Sequence, residues 1–260
     1  MKTVFVLSGC CPIFSVGAQE SVDFKTIPRL SQEVIIDGNL DDWKTAAFND
    51  GEWNLERVQS SPWYESARNK LTIHDGETGL DLASTYYLAW DENYLYLGAE
   101  VKDNVNDVTE SKHQPKRWYY KDAIAWFFEY PMDTIAEEFG SGDHGFAFVI
   151  DSLYPSYGAW WRHGDARQTY VETPLPQGAF EYVIKFNPWN RSEADYVLEA
   201  KISAKQTMGN GDEHWTPIQP GNKFRMMIVH CDPDGGEYGG HLLIYGKGDD
   251  DGTWTEFEFE

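Results

Sequence analysis

The most regular stretch of the chain runs from Thr85 to Asn104, TYYLAWDENYLYLGAEVKDN. Tyr86, Leu88 and Trp90 alternate with Thr85, Tyr87 and Ala89. After Asp91-Glu92-Asn93, Leu95, Leu97, Ala99 and Val101 alternate with Tyr94, Tyr96, Gly98 and Glu100. Successive side chains of a strand point to opposite faces, so this period of two predicts a β-hairpin. Its loop places Asn93 where a three-residue turn favours left-handed backbone. Both strands carry large residues on both faces. That suits the interior of a stacked pair of sheets better than a half-solvated sheet.

Similar runs predict strands at Ala123–Glu129, Gly145–Ile150, Gly158–Arg162, Phe180–Phe186, Tyr196–Ile202, Phe224–His230, His241–Tyr245 and Thr253–Glu260. Near the start, Val34–Ile36 reads as a short strand entering a tight turn at Gly38. Asp37 caps that turn, and Trp43 folds back on the core. Residues 49–80 and 203–222 are long polar connections, and Thr134–Phe139 suits one helical turn. Nine or ten strands, few helices and no internal repeat give one all-β domain over residues 19–260. It is an antiparallel β-sandwich of jelly-roll or immunoglobulin-like type.

Residues 1–18 read as a secretory signal, with Lys2, an apolar run and the small residues Val16-Gly17-Ala18 before Gln19. Leu7-Ser8-Gly9-Cys10 offers a second reading, a lipobox with a lipid anchor at Cys10. Both place the protein outside the cytoplasm. No stretch is long and apolar enough to span a bilayer. With Cys10 and Cys11 in that segment, Cys231 stands alone, so neither a disulfide nor a zinc cluster can be built.

The net charge of −22 argues against binding nucleic acid, which needs Lys and Arg to replace counterions. It disfavours polyanionic glycans as well and permits neutral ligands and divalent cations. With 11 Trp in the chain, some are expected to serve at a surface rather than in the core.

Several segments together resemble carbohydrate-binding module family 9, within the wider DOMON-like group of sandwiches. They are IDGNLDDW at Ile36–Trp43, LAWDENYLYLGAEVKD at Leu88–Asp103, the W-x-x-x-D run at Trp118–Asp122 before a strand ending in Glu129, YVLEAKIS at Tyr196–Ser203 and PGNKFRMMI at Pro220–Ile228. The resemblance implies a calcium-carrying sandwich that binds sugar without catalysis, between two Trp rings. Such domains often sit beside a glycanase, which would be the partner here.

An indole ring covers the C–H face of a pyranose while polar side chains take its hydroxyls. The ligand-binding candidates are Trp118, Trp160, Trp161, Arg162 and Trp254. Trp160 and Trp161 are neighbours, so one faces the core and the other faces out. Calcium requires six to eight oxygens. The candidate ligands are Asp103, Asn104 and Asp107 after the hairpin and Asp232, Asp234 and Glu237 in a later turn, with Asp249–Asp251 as a third acidic run. Alternatives stay open. A glycoside hydrolase or lyase could use a carboxylate pair. A surface or adhesion scaffold would use the sandwich alone. Haem could bind at Met226 and His230, which share a strand face.

Overall fold

The computed structural model describes residues 25–64, 82–104, 117–133, 140–151, 158–164, 170–186, 195–210, 214–233, 240–248 and 250–260. The signal segment and the helical turn expected at Thr134–Phe139 lie outside these residues.

The described strands are β1 (Lys25–Ile27), β2 (Glu52–Asn54), β3 (Leu82–Trp90), β4 (Tyr94–Asp103), β5 (Ala123–Glu129), β6 (Asp143–Val149), β7 (Ala159–Gly164), β8 (Tyr170–Pro174), β9 (Phe180–Phe186), β10 (Tyr196–Ser203), β11 (Lys223–Cys231), β12 (His241–Ile244) and β13 (Thr255–Phe259). One short helix, α1 (Leu55–Gln59), follows β2. An eight-stranded sheet runs β1-β13-β11-β5-β6-β7-β8, with β12 also paired to β11. A five-stranded sheet runs β2-β3-β4-β10-β9. The β-sandwich is therefore as expected, and among the described strands only the β1–β13 pair departs from antiparallel order.

The hairpin pairs as the alternation predicts, with Leu88 opposite Leu97. Its turn is stabilised differently. Asn93 is not left-handed; the only described non-glycine residue with positive φ is Tyr245. Instead the Asp91 carboxylate accepts from the Asn93 and Tyr94 amides at 2.7 and 2.8 Å. Val34–Ile36 forms no strand, while the short strands β1, β2 and β8 were not foreseen. Strands this short carry too few alternating positions to register as a period.

Between the sheets, Tyr86, Leu88, Leu97, Leu198 and Ile202 meet Trp126, Phe128, Phe146, Phe148, Phe224 and Phe259 in one buried cluster. The other face of the five-stranded sheet is also covered. Leu30, Val34, Leu40 and Trp43 pack there on Tyr87, Ala89, Tyr96 and Val197. This second layer explains why both faces of the hairpin are apolar. Trp43 is fully buried, and its indole N–H donates to Glu199 at 2.8 Å. The amides of Asp37 and Gly38 donate to the same carboxylate at 2.9 and 2.7 Å. Gly38 has φ +79°, a conformation open to glycine and strained for most side chains.

His230 lies in the core, 1 % exposed. Its Nδ1 meets the Tyr86 hydroxyl at 2.7 Å and that of Ser84 at 3.2 Å, and its Nε2 meets the Tyr196 hydroxyl at 3.0 Å. Both ring nitrogens are thus engaged by the protein, which leaves the haem alternative without a free imidazole ligand at this position. Burial pushes His230 down to about 3, so the ring is neutral in the fold. An unfolded histidine takes its proton at about 6.5. This residue's contribution is therefore complete above that pH and declines as pH falls towards 3. His230→Phe strands the two tyrosine hydroxyls and is expected to lower unfolding free energy by about 2–4 kcal/mol at pH 7.5. Urea denaturation should show the gap between variant and wild type narrowing as pH drops below about 6.5.

Candidate functional site

The outward face of the eight-stranded sheet carries most of the predicted ligand residues. In β5 the even-numbered Ile124, Trp126 and Phe128 face the core, so Phe127 and Glu129 face out. Register places Phe127 opposite Gly145, and Gly145 opposite Arg162. Arg162 is in turn opposite Glu172. A Cβ on Gly145 would meet the Phe127 ring at 2.5 Å, so the ring lies flat across β6 because glycine is there.

Two short 3-10 turns cap this row. Trp118, in the turn Trp118–Tyr120, lies 6.2 Å from Phe127 between ring centres. Trp254, after the turn Asp251–Thr253, lies 5.9 Å from the same Phe127 ring between ring centres. Glu172 joins the parts: it accepts from the Trp118 indole at 2.5 Å and pairs with Arg162 at 3.3 Å. The Arg162 guanidinium lies 5.6 Å from the Trp118 ring centre. Tyr119 and Tyr120 are half-buried beside it, 5.0 Å apart. Burial pushes the Tyr119 hydroxyl up, and the nearby Glu172 carboxylate adds to that. Trp160 shares the outward face with Arg162 and is half-buried.

At one end of the sandwich, Asp103 closes β4, Asp122 precedes β5 and Asp232 follows β11. All three are buried, and one oxygen from each lies within 4.8 Å of the others. The Asp103 amide also donates to the buried Asp195 at 3.1 Å. An all-oxygen set of this kind could hold a hard divalent cation, and it draws from both sheets. Its field reaches inward. Burial pushes the Tyr196 hydroxyl well up, reinforced by Asp103 and Asp122.

The sequence profile described as carbohydrate family 9 binding domain-like matches residues 50–244. The chain belongs to the carbohydrate family 9 binding domain-like family. A family 9 carbohydrate binding module from Caldicellulosiruptor kristjanssonii, solved with cellotriose, has a similar fold. It is 16% identical with a TM-score of 0.55, over 91% of this chain and 94% of that one. A structure of such a module from the same organism with glucose is 15% identical with a TM-score of 0.56, over 91% and 96%. No curated protein matches the chain.

In this family 9-like domain, Trp118, Trp160, Arg162 and Trp254 reach one face from three separate segments, Trp160 and Arg162 sharing β7. Trp161 points the other way. It is buried with its indole N–H on His144 at 3.2 Å and its ring 4.1 Å from His163, so it offers no face to a ligand. Trp118 and Trp254 are also buried, at 3 % and 5 % exposure. As described, they line the floor, and the half-buried rings above it are Tyr119, Tyr120 and Trp160. Sequence reading missed Glu172, because β8 is too short to show a period. Of the predicted metal ligands, Asp103 and Asp232 come together, although they stood in separate acidic segments. Asn104 follows Asp103 directly and is half-buried. Asp107, Asp234 and Glu237 lie outside the described residues. Asp122, quoted only as part of a motif, is the third member of the group.

A second acidic group, Glu129, Asp133 and Asp251, borders the aromatic row. Arg225 offsets part of its charge through Glu129 at 2.7 Å. Asp143 is paired in register with Glu129 and is 2 % exposed. One of its oxygens accepts from the Gly140 amide at 2.6 Å, and the other has no partner among the described residues. Burial, then Asp251 and Glu129, push Asp143 up to about 8. An unfolded aspartate releases its proton near pH 4. Stability at this site therefore falls as pH rises from about 4 to 8. Asp143→Asn keeps an acceptor for Gly140 and is expected to raise unfolding free energy by about 2 kcal/mol at pH 8, with the gain vanishing by about pH 4. Denaturation curves at the two pH values in EDTA check this.

Proposed function

We propose that this domain binds a neutral carbohydrate non-covalently on the outward face of the eight-stranded sheet, without catalysis. One observation carries the reading: half-buried rings, Tyr119 and Trp160, stand on the same face as the interlocked Arg162–Glu172 pair. Aromatic area beside fixed charged donors and acceptors suits a pyranose, whose C–H face is apolar and whose rim is hydroxylated. Family membership and the saccharides in the two similar structures support the same ligand class. The net charge of −22 favours a neutral glycan over a polyanion. Asp103, Asp122 and Asp232 would bind Ca2+, which would fix the sheet ends rather than act on the ligand. The setting we favour is outside the cell, beside a glycanase acting on the same polysaccharide.

Titration calorimetry with neutral gluco-oligosaccharides should show saturable binding. Trp160→Ala and Tyr119→Ala are each expected to weaken it about tenfold, the equivalent of one lost ring contact. Unchanged affinity in both variants would remove the site from this face. Separately, EDTA should lower the thermal midpoint by about 5–10 °C through loss of linked cation binding. Asp122→Asn should make the midpoint insensitive to EDTA.

A further inference from the structure

The opposite side of the sandwich holds a cleft of about 720 Å³. One wall is the segment 29–34, and the other is the β3–β4 turn, with Tyr94, Tyr96 and Lys201 between them. This is the outward face of the five-stranded sheet, where the covering layer stops short.

The charged groups of the cleft are largely committed to the protein. Asp91 accepts from two amides of its own turn and, at 2.6 Å, from the Tyr96 hydroxyl. Arg29 pairs with Glu92 and lies over Trp90. Lys201 pairs with Glu181 at 3.0 Å and lies 5.3 Å from the centre of the Tyr94 ring. These bonds hold the tyrosine rings in place, 6.3 Å apart. By contrast, the side chains of Ser31, Glu33 and Asn93 and the hydroxyl of Tyr94 make no hydrogen bond or ion pair to any described residue.

The uncommitted set is therefore two hydroxyls, one amide and one carboxylate around an aromatic ring. It has no free cation to select an anion, and one carboxylate is too few for a hard metal ion. Mixed donors and acceptors beside a ring suit an uncharged polyol. The volume lies within the usual range for small-ligand sites and accommodates one or two sugar units.

We propose that this cleft is a second carbohydrate-binding site for a neutral mono- or disaccharide unit, on the face opposite the first. The proposal rests on the carbohydrate-binding reading above and adds a consequence to it. One domain would hold two glycan segments on opposite faces, which raises avidity for a dense polysaccharide and links neighbouring chains.

The test is calorimetry with cellotriose on the whole chain, comparing wild type with Tyr94→Ala and Trp160→Ala. Two sites per chain are expected in wild type and one in each variant, with the double variant silent. Glu33→Ala, at an exposed position with no internal bonds, guards against misfolding of Tyr94→Ala. It should weaken only the second site, by about fivefold or more. One site in wild type, unaffected by Tyr94→Ala and Glu33→Ala, overturns the second site and leaves the first standing. Binding lost in Tyr94→Ala and untouched by Trp160→Ala supports the cleft and overturns the first location. No cellotriose binding at all overturns both.

Discussion

Face-to-face burial of aromatic rows is the constraint on which the rest of this molecule depends. Trp126, Phe128, Phe146 and Phe148 cannot leave the space between the sheets without exposing large apolar areas. Because side chains alternate, fixing these residues inward fixes their neighbours outward. Phe127, Gly145 and Arg162 are thus presented on the far side without any choice of their own. The candidate sugar face is the reverse of the core.

Polar groups inside this apolar frame are handled in two ways. Where neutral partners suffice, they are satisfied locally. His230 bonds to Tyr86, Ser84 and Tyr196, and Glu199 takes three N–H donors around Trp43. Where carboxylates gather, as at Asp103, Asp122 and Asp232, like charges crowd together in a buried setting. Such an arrangement is costly unless a cation or protons enter. The Asp143 group shows the proton solution, with its carboxyl pushed up to about 8. The same composition that makes the chain so acidic therefore does different work at its surface and in its interior.

The two faces of the sandwich differ in what covers them. On the five-stranded sheet, residues 28–48 lay down a second apolar layer sealed by Trp43. Among the described residues of the eight-stranded sheet, the cover is two short turns bearing Trp118, held by Glu172, and Trp254, whose indole N–H donates to the Gly248 carbonyl. A cover made of isolated turns leaves half-buried rings at its edges, which is where a flat sugar ring could rest. The thicker cover stops short at the hairpin end, and the polar cleft opens there.

Much of this was legible in the chain itself. The hairpin, β5, β9 and β10 follow from period-two alternation, which depends only on local backbone geometry. The Gly38 turn and the burial of Trp43 follow from residue chemistry over a few positions. The short edge strands were not legible, because three to five residues cannot establish a period, and Glu172 was hidden with them. Which of Trp160 and Trp161 faces outward was left open by the sequence and decided by pairing with β6. Asp103 and Asp232 were visible only as members of separate acidic runs, since their meeting depends on which strand ends lie side by side. The sequence determined the longer strands and the alternation of their side chains, because those depend on neighbours along the chain. Only the tertiary structure decided which groups share a site, because those contacts join residues far apart in the sequence.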